Sequence, residues 1–281
     1  MPTVVDVLKK TEAFFKSKGI ASPRLDAELI VGHHLNMDRV ELYLKFDQPL
    51  KEAELGPMRA DVKRRADREP VAWIVGNKGF WSLDLNTHVD VLVPRPDSET
   101  LVETALKVIP EEGLCFIADV GTGTGAIGLA IASERPDARV FSTDISDSAL
   151  RCTKDNVSKL GLSDRVAVLK GSLLSPIPAD RQIDIVVSNP PYIPSGDIDG
   201  LAPEIAKHEP RLALDGGEDG LDIYRALIPS AAQRATKAVV VEHGDGQHTA
   251  ISAMMEQAGL IDITEHADLS GTIRVVCGLK P

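Results

Sequence analysis

Apolar positions in the first eighty residues recur at helical spacing. Val4, Val7, Leu8, Phe14 and Phe15 mark one helix, and Thr3 with Asp6 gives it a capping-box start. Ser22-Pro23 predicts an N-cap followed by proline at the first helical position, with Leu25, Leu29 and Ile30 as the apolar face. A further helix is predicted over Glu52 to Asp67. It ends in the basic run KRRADR, read as a solvated helix end with a binding patch as the alternative. From Phe80 to Pro96 the pattern alternates, as in a β-hairpin. Beyond Asp97 a helix carrying Leu101, Val102, Ala105 and Val108 stops at Pro110. Short apolar runs (LCFIADV, ARVFSTD, VAVL, IDIVVS, KAVVVE, TIRVVCG) then alternate with helical segments such as AIGLAIAS and Ser148 to Leu160. Continuous apolar strands between helices predict a largely parallel sheet covered on both faces. The expected organisation is α/β: a small all-α domain over 1–79, a β-hairpin linker over 80–96, and an α/β domain over 97–281.

Composition narrows the functions open to such a chain. Its 281 residues are 43% hydrophobic and 26% charged, enough to bury at least one full core. A formal net charge of −11 argues against a broad nucleic-acid grip, which needs surplus Lys and Arg. Cys115, Cys152 and Cys277 are too few and scattered for a disulfide framework or zinc site, and are expected to pack as small apolar residues in a reducing compartment. No membrane-length apolar run and no signal-peptide core are present, so the expected location is the cytoplasm.

Two short stretches carry chemistry. In ADVGTGTGAIG, Gly121, Gly123 and Gly125 let the backbone turn tightly and approach a ligand where a β-carbon would collide. Asp144 closes the next strand, where a carboxylate can take a ribose diol. Residues 123–128 also spell G-x-G-x-x-G, so a nicotinamide dinucleotide is one candidate ligand. Asp119 ahead of the first glycine, and the later loop SNPPYIP, favour a methyl-donor nucleoside instead. In that loop Asn189 and Pro190 each precede a proline, which holds both extended. The result is a stiff ledge at a strand's carboxyl end. It offers the Asn189 side-chain oxygen and the Pro190 carbonyl as acceptors, with Tyr192 as a flat wall. Two acceptors suit the two hydrogens of a planar NH₂ group. They would aim a weakly nucleophilic nitrogen at an electrophilic methyl group and stabilise the positive charge that develops on it.

These stretches, with EPVAWIVGNKGFWSL, VLVPRPDSETLVE, HEPRLALDGGEDGLDIYR and VEHGDGQ, make the chain resemble the HemK/PrmC family over nearly its whole length. These are protein-(glutamine-N5) methyltransferases acting on the Gly-Gly-Gln glutamine of class-1 peptide chain release factors. The resemblance implies a class I (Rossmann-like) methyltransferase domain and a helical domain that docks the release factor, with no metal and no direct nucleic-acid or membrane partner. It implies that Gly121, Thr122, Gly123, Thr124 and Gly125 cradle the methionine part of S-adenosylmethionine (S-adenosylhomocysteine as product), with Asp144 on the ribose and Asn189 near the cofactor. Asn189, Pro190, Pro191 and Tyr192 would hold the substrate amide. Arg95 and Glu99 would help close the site, or form a salt bridge or helix cap. Phe80 and Trp81 would wall the pocket, or pack the linker. Ser172 and Leu173 depart from the acidic-aromatic pair usual in the family, which weakens the expected adenine contacts. The alternatives kept open are methylation of a ribosomal-protein glutamine, methylation of adenine, and a non-catalytic adapter.

Overall fold

In the computed structural model, which describes residues 1–281, the capping signal at the N-terminus works as the sequence predicts. The Thr3 hydroxyl accepts from Asp6 N, and Asp6 takes Thr3 N in return, opening helix α1 (Val4–Ser17). Helix α2 (Pro23–Leu35) starts on its proline, but Ser22 makes no side-chain cap bond. A short helix the apolar pattern did not reveal, α3 (Arg39–Leu44), is capped reciprocally by Asp38 and Glu41. Helices α4 (Glu52–Ala66) and α5 (Val71–Val75) complete the set around Val4, Phe15, Ile30, Leu42 and Met58. Residues 1–77 and 202–208 form one compact unit, and 78–201 with 209–281 the other.

The basic run ends α4, with Lys63, Arg64 and Asp67 exposed as expected of a solvated helix end, but Arg65 departs from that reading. Arg65 is only 5% exposed; its guanidinium bonds Asp26 at 2.7 Å, Glu204 at 2.7 Å and the Glu69 carbonyl at 3.1 Å. Arg64 pairs with Asp61 and Glu69, and Arg68 with Glu204. Asp26 and Glu204 lie 39 and 139 positions from Arg65, so its burial between them cannot be read from the run itself.

The hairpin is also shorter than its alternating pattern suggests. Strands β1 (Asn77–Phe80) and β2 (Leu83–Asn86) flank a turn at Trp81, whose φ is +54°. Pairing stops at Asn86 because β1 begins only at Asn77, directly after α5 and its left-handed cap Gly76 (φ +79°), so no strand remains for later residues to pair with.

The second unit runs α6 (Glu99–Val108), β3 (Cys115–Val120), α7 (Ala126–Glu134), β4 (Ala138–Asp144), α8 (Asp147–Lys159), β5 (Val166–Lys170) and β6 (Ile183–Ser188). Helix α9 (Pro203–His208) belongs to the first unit. The chain then returns for α10 (Asp222–Arg234), β7 (Ala235–Glu242), α11 (His248–Gln257), β8 (Ile261–Ala267) and β9 (Ile273–Leu279). The seven-stranded sheet has the order β5-β4-β3-β6-β7-β9-β8, with β9 antiparallel to both neighbours. One face packs residues such as Leu101, Leu129 and Val140, and the other Tyr224, Leu227 and Ile251. All three cysteines are free and buried, and burial pushes each thiol up to about 11. Strand order reverses between β3 and β6, and in open α/β sheets ligands bind at such a switch point, beyond the carboxyl ends of the strands.

Candidate active site

Register brings the ends of three strands level: Val120 pairs with Thr143 on one side and Ser188 on the other. The glycine turn, Asp144 and the NPPY loop therefore leave the sheet side by side. Gly121, Gly123 and Gly125 hold φ of +73°, +58° and +86°, a region costly for any residue with a β-carbon. At Gly121 and Gly123 nothing lies within 4 Å of where a β-carbon would sit, so the turn presents a bare face. At Gly125 a β-carbon would meet Leu129 at 2.8 Å, and at Gly128 the Asp119 carboxylate at 2.8 Å, so these two let α7 seat against its neighbours.

Asp119 organises the turn from beneath. Fully buried, it accepts from Thr122 Oγ1 at 2.6 Å and Gly128 N at 3.2 Å, and burial pushes its carboxyl up to about 6. From the side, α8 braces the turn: Thr153 Oγ1 donates to the Gly123 carbonyl and Asn156 Nδ2 to that of Thr124. Asp144 accepts from Gly123 N at 3.0 Å and Ser146 N at 2.9 Å. Burial raises its carboxyl above the ordinary value, while these backbone donors pull it back.

A cavity of about 510 Å³ opens here, within the range of small-molecule sites. Its wall includes residues 121–124, Asp144, and Ser188 to Pro191. Phe80, Arg95, Ser172 and Leu173 also face it. Gly125, Tyr192, Glu99 and Trp81 are not part of the lining. Tyr192 instead turns its ring toward Gly244, where an added β-carbon would lie 3.0 Å from the ring, and burial pushes its phenol up to about 12. Glu99 accepts from Trp81 N at 2.8 Å and fastens the hairpin turn, while the Trp81 indole donates to Glu134. Arg95 both faces the cavity and pairs with the buried Glu209. Ile145, half exposed beside Asp144, adds an apolar surface that the motifs did not announce.

The NPPY loop is held from behind. Gln247 Nε2 donates to the Tyr192 carbonyl at 2.9 Å, and Ile193 exchanges backbone bonds with Leu214 and Gly216. A β-carbon at Gly220 would come within 2.2 Å of the Tyr192 carbonyl. DGGEDG and EHGDGQ are thus the packing around the ledge. Asn189, which lines the cavity, points its Nδ2 at Ser98 Oγ, 3.1 Å away.

Comparison with known proteins adds the decisive observation. Residues 6–76 match the family described as PrmC N-terminal domain, and 98–218 the Methyltransferase small domain. A release factor glutamine methyltransferase of Geobacter sulfurreducens is 39% identical over 278 residues, covering 98% of this chain and 96% of that protein. One of Bradyrhizobium diazoefficiens is 42% identical over 274 residues, covering 95% and 92%. The chain belongs to the release factor glutamine methyltransferase family. As a member, it is a methyltransferase enzyme.

The solved structures it resembles carry the same fold. The hMettl16 catalytic domain in complex with MAT2A 3′UTR hairpin 6 aligns with TM-score 0.59 and 16% identity, covering 81% of this chain and 82% of that one. A methyltransferase from Pyrococcus furiosus aligns at 0.53 and 16%, covering 71% and 90%. The class I methyltransferase fold of this family implies S-adenosylmethionine as methyl source. No helix is long and apolar enough to cross a membrane.

Proposed function

We propose that this enzyme transfers a methyl group from S-adenosylmethionine to the side-chain amide nitrogen of the Gly-Gly-Gln glutamine of class-1 peptide chain release factors, in the cytoplasm. The observation that carries this reading is that Asn189 and Pro190 line the same cavity as the bare glycine turn and Asp144, with the Asn189 Nδ2 held by Ser98. The cavity's shape and donors fit the cofactor. Gly121 and Gly123 leave open the face that would take its methionine part, Asp144 would accept from the ribose hydroxyls, and Ile145 and Leu173 give the base apolar walls. When bound, the cofactor supplies an electrophilic methyl on a sulfonium.

The protein's part is alignment. Asn189 Oδ1 and the Pro190 carbonyl accept the two amide hydrogens, pointing the nitrogen lone pair into the cavity. The same acceptors would stabilise the positive charge that develops on the amide nitrogen as it takes the methyl group from the sulfonium, before one amide proton is lost to solvent. Pro191 stiffens the ledge and Tyr192 anchors it from behind. The helical unit of residues 1–77 and 202–208 is assigned to docking the release factor.

The test is mass spectrometry of a release factor after incubation with the enzyme and S-adenosylmethionine. A single methyl on the Gly-Gly-Gln glutamine is expected, and a methyl on any other residue sinks the reading. For the cofactor site, Asp144→Ala should weaken S-adenosylhomocysteine binding by roughly 1.5–3 kcal/mol per lost hydrogen bond to a charged group. Calorimetry returning wild-type affinity would remove Asp144 from the ribose.

A further inference from the structure

An asparagine amide has an acceptor end and a donor end, and the ledge works only if the acceptor faces the substrate. Something must decide which end that is. The Asn189 Nδ2 donates to Ser98 Oγ at 3.1 Å, and Ser98 is itself buried in the turn before α6. A serine hydroxyl has one hydrogen, so a Ser98 that only accepts from Asn189 must send its own hydrogen elsewhere. The sheet register places the other partner: Ser188 pairs with Val241, so Glu242, at the end of β7, lies beside Asn189. Glu242 is 2% exposed, and its Oε2 has no hydrogen-bond partner.

We propose that Ser98 and Glu242 are positioning residues that orient the Asn189 amide, fixing its nitrogen inward and its oxygen toward the substrate glutamine. This rests on the methyl-transfer reading above. An ionised carboxylate can only accept. It takes the Ser98 hydrogen, which leaves Ser98 free to accept from Asn189 Nδ2. Turning the amide over would set Oδ1 against a hydroxyl with no hydrogen to give and beside a buried negative charge, and would show the substrate two donors.

The charges around Glu242 give the device a pH dependence. Burial pushes its carboxyl up to about 7; Ser98 and Asn189 hold it down, as does Arg274, while Asp97 pushes it further up. Tyr192 and Tyr224 face it as neutral phenols, Tyr224 Oη donating to the Glu242 main-chain carbonyl at 2.6 Å. His243, the next residue, is buried and its ring is biased toward the neutral form by that burial. Above this pH the carboxylate accepts only. Below it, a protonated Glu242 donates to Ser98, the Ser98 hydrogen is freed toward Asn189, and the reversed amide becomes accessible. The rate of methyl transfer should therefore fall as pH drops through about 7.

The experiment is single-turnover methyl transfer to a release factor on both sides of that pH, for wild type, Glu242→Gln, Ser98→Ala, their combination and Ser98→Thr. A glutamine at 242 offers a donor as well as an acceptor, so Glu242→Gln should slow transfer about tenfold, the worth of one charge-assisted hydrogen bond. It should also abolish the inflection. Ser98→Ala should slow transfer by no more than Glu242→Gln, since Asn189 also bonds Glu242 directly, and the combination no further than Glu242→Gln alone. Ser98→Thr keeps the hydroxyl and should keep the rate. S-adenosylhomocysteine affinity, read by calorimetry, should stay within a few-fold of wild type for all of them. Slow transfer accompanied by an equal loss of that affinity would show a merely structural role and overturn the relay. An active wild type whose Glu242→Gln variant keeps both rate and pH profile, or two single changes whose effects multiply, overturns the relay alone. A wild type that leaves glutamine unmethylated overturns the functional reading, and the relay with it.

Discussion

Replacing Asn189 by alanine should slow methyl transfer by about 10²–10³-fold while leaving S-adenosylhomocysteine affinity within a few-fold of wild type. The magnitude is that of removing one preorganised acceptor or donor aimed at developing charge. The split between rate and affinity follows from geometry. Asn189 faces the cavity from the ledge, whereas the proposed cofactor contacts sit on the glycine turn and Asp144. Asn189→Asp separates the two effects further. It keeps an acceptor and the shape, but adds a negative charge beside the cationic sulfonium and next to the buried Glu242. Cofactor affinity should hold or rise while the rate falls. Single-turnover kinetics decide the matter, since they isolate the chemical step from binding and product release. A rate within a few-fold of wild type in Asn189→Ala would reduce the NPPY ledge to scaffolding.

Arg65→Ala should destabilise the helical unit by about 3–5 kcal/mol, the cost of breaking a buried ion pair by removing one partner. Arg65 is 5% exposed and sits between Asp26 and Glu204, each at 2.7 Å. Alanine removes the guanidinium shared by Asp26 and Glu204, although Arg68 stays on Glu204, and deprives the Glu69 carbonyl of its donor. Denaturant unfolding followed by hydrogen exchange should show the amides of α2 and α4 losing protection first. An unchanged midpoint would mean that the desolvation of these charges cancels their attraction, and that the network holds nothing together.

What was legible in the sequence is what depends on near neighbours. The helix starting at Val4 shows itself through Thr3 and Asp6, and β4 through an apolar run that ends on its carboxylate. The glycine turn and the NPPY ledge are legible because glycine and proline impose backbone conformations by themselves. Helix α3 escaped because six residues leave too little room for a periodic face, although Asp38 and Glu41 spelled its cap. Strand β8 escaped because it is an edge strand with no buried residue, carrying Asp262, Glu265 and His266 where an alternating apolar face would be sought. At the site, Asn189 and Pro190 could be named from their own chemistry. Their supports could not: Ser98 is 91 positions from Asn189, and Gln247 55 from the Tyr192 carbonyl it holds. The DGGEDG and EHGDGQ stretches stood out as motifs, yet only the fold shows them wrapped around Tyr192.

The membership of α9 in the helical unit has a consequence for how this enzyme can be taken apart. The chain passes from one unit to the other after Asn77, again after Leu201, and back after His208. A single deletion at the first crossing would therefore not release a whole module. It would strip Glu204 of Arg65 and Arg68 and leave an orphaned helix hanging from the loop that begins at the NPPY ledge. Excision takes two edits to the gene, one before Lys78 and one removing 202–208. For the same reason, exchanging the helical unit whole means exchanging two separate stretches of the chain.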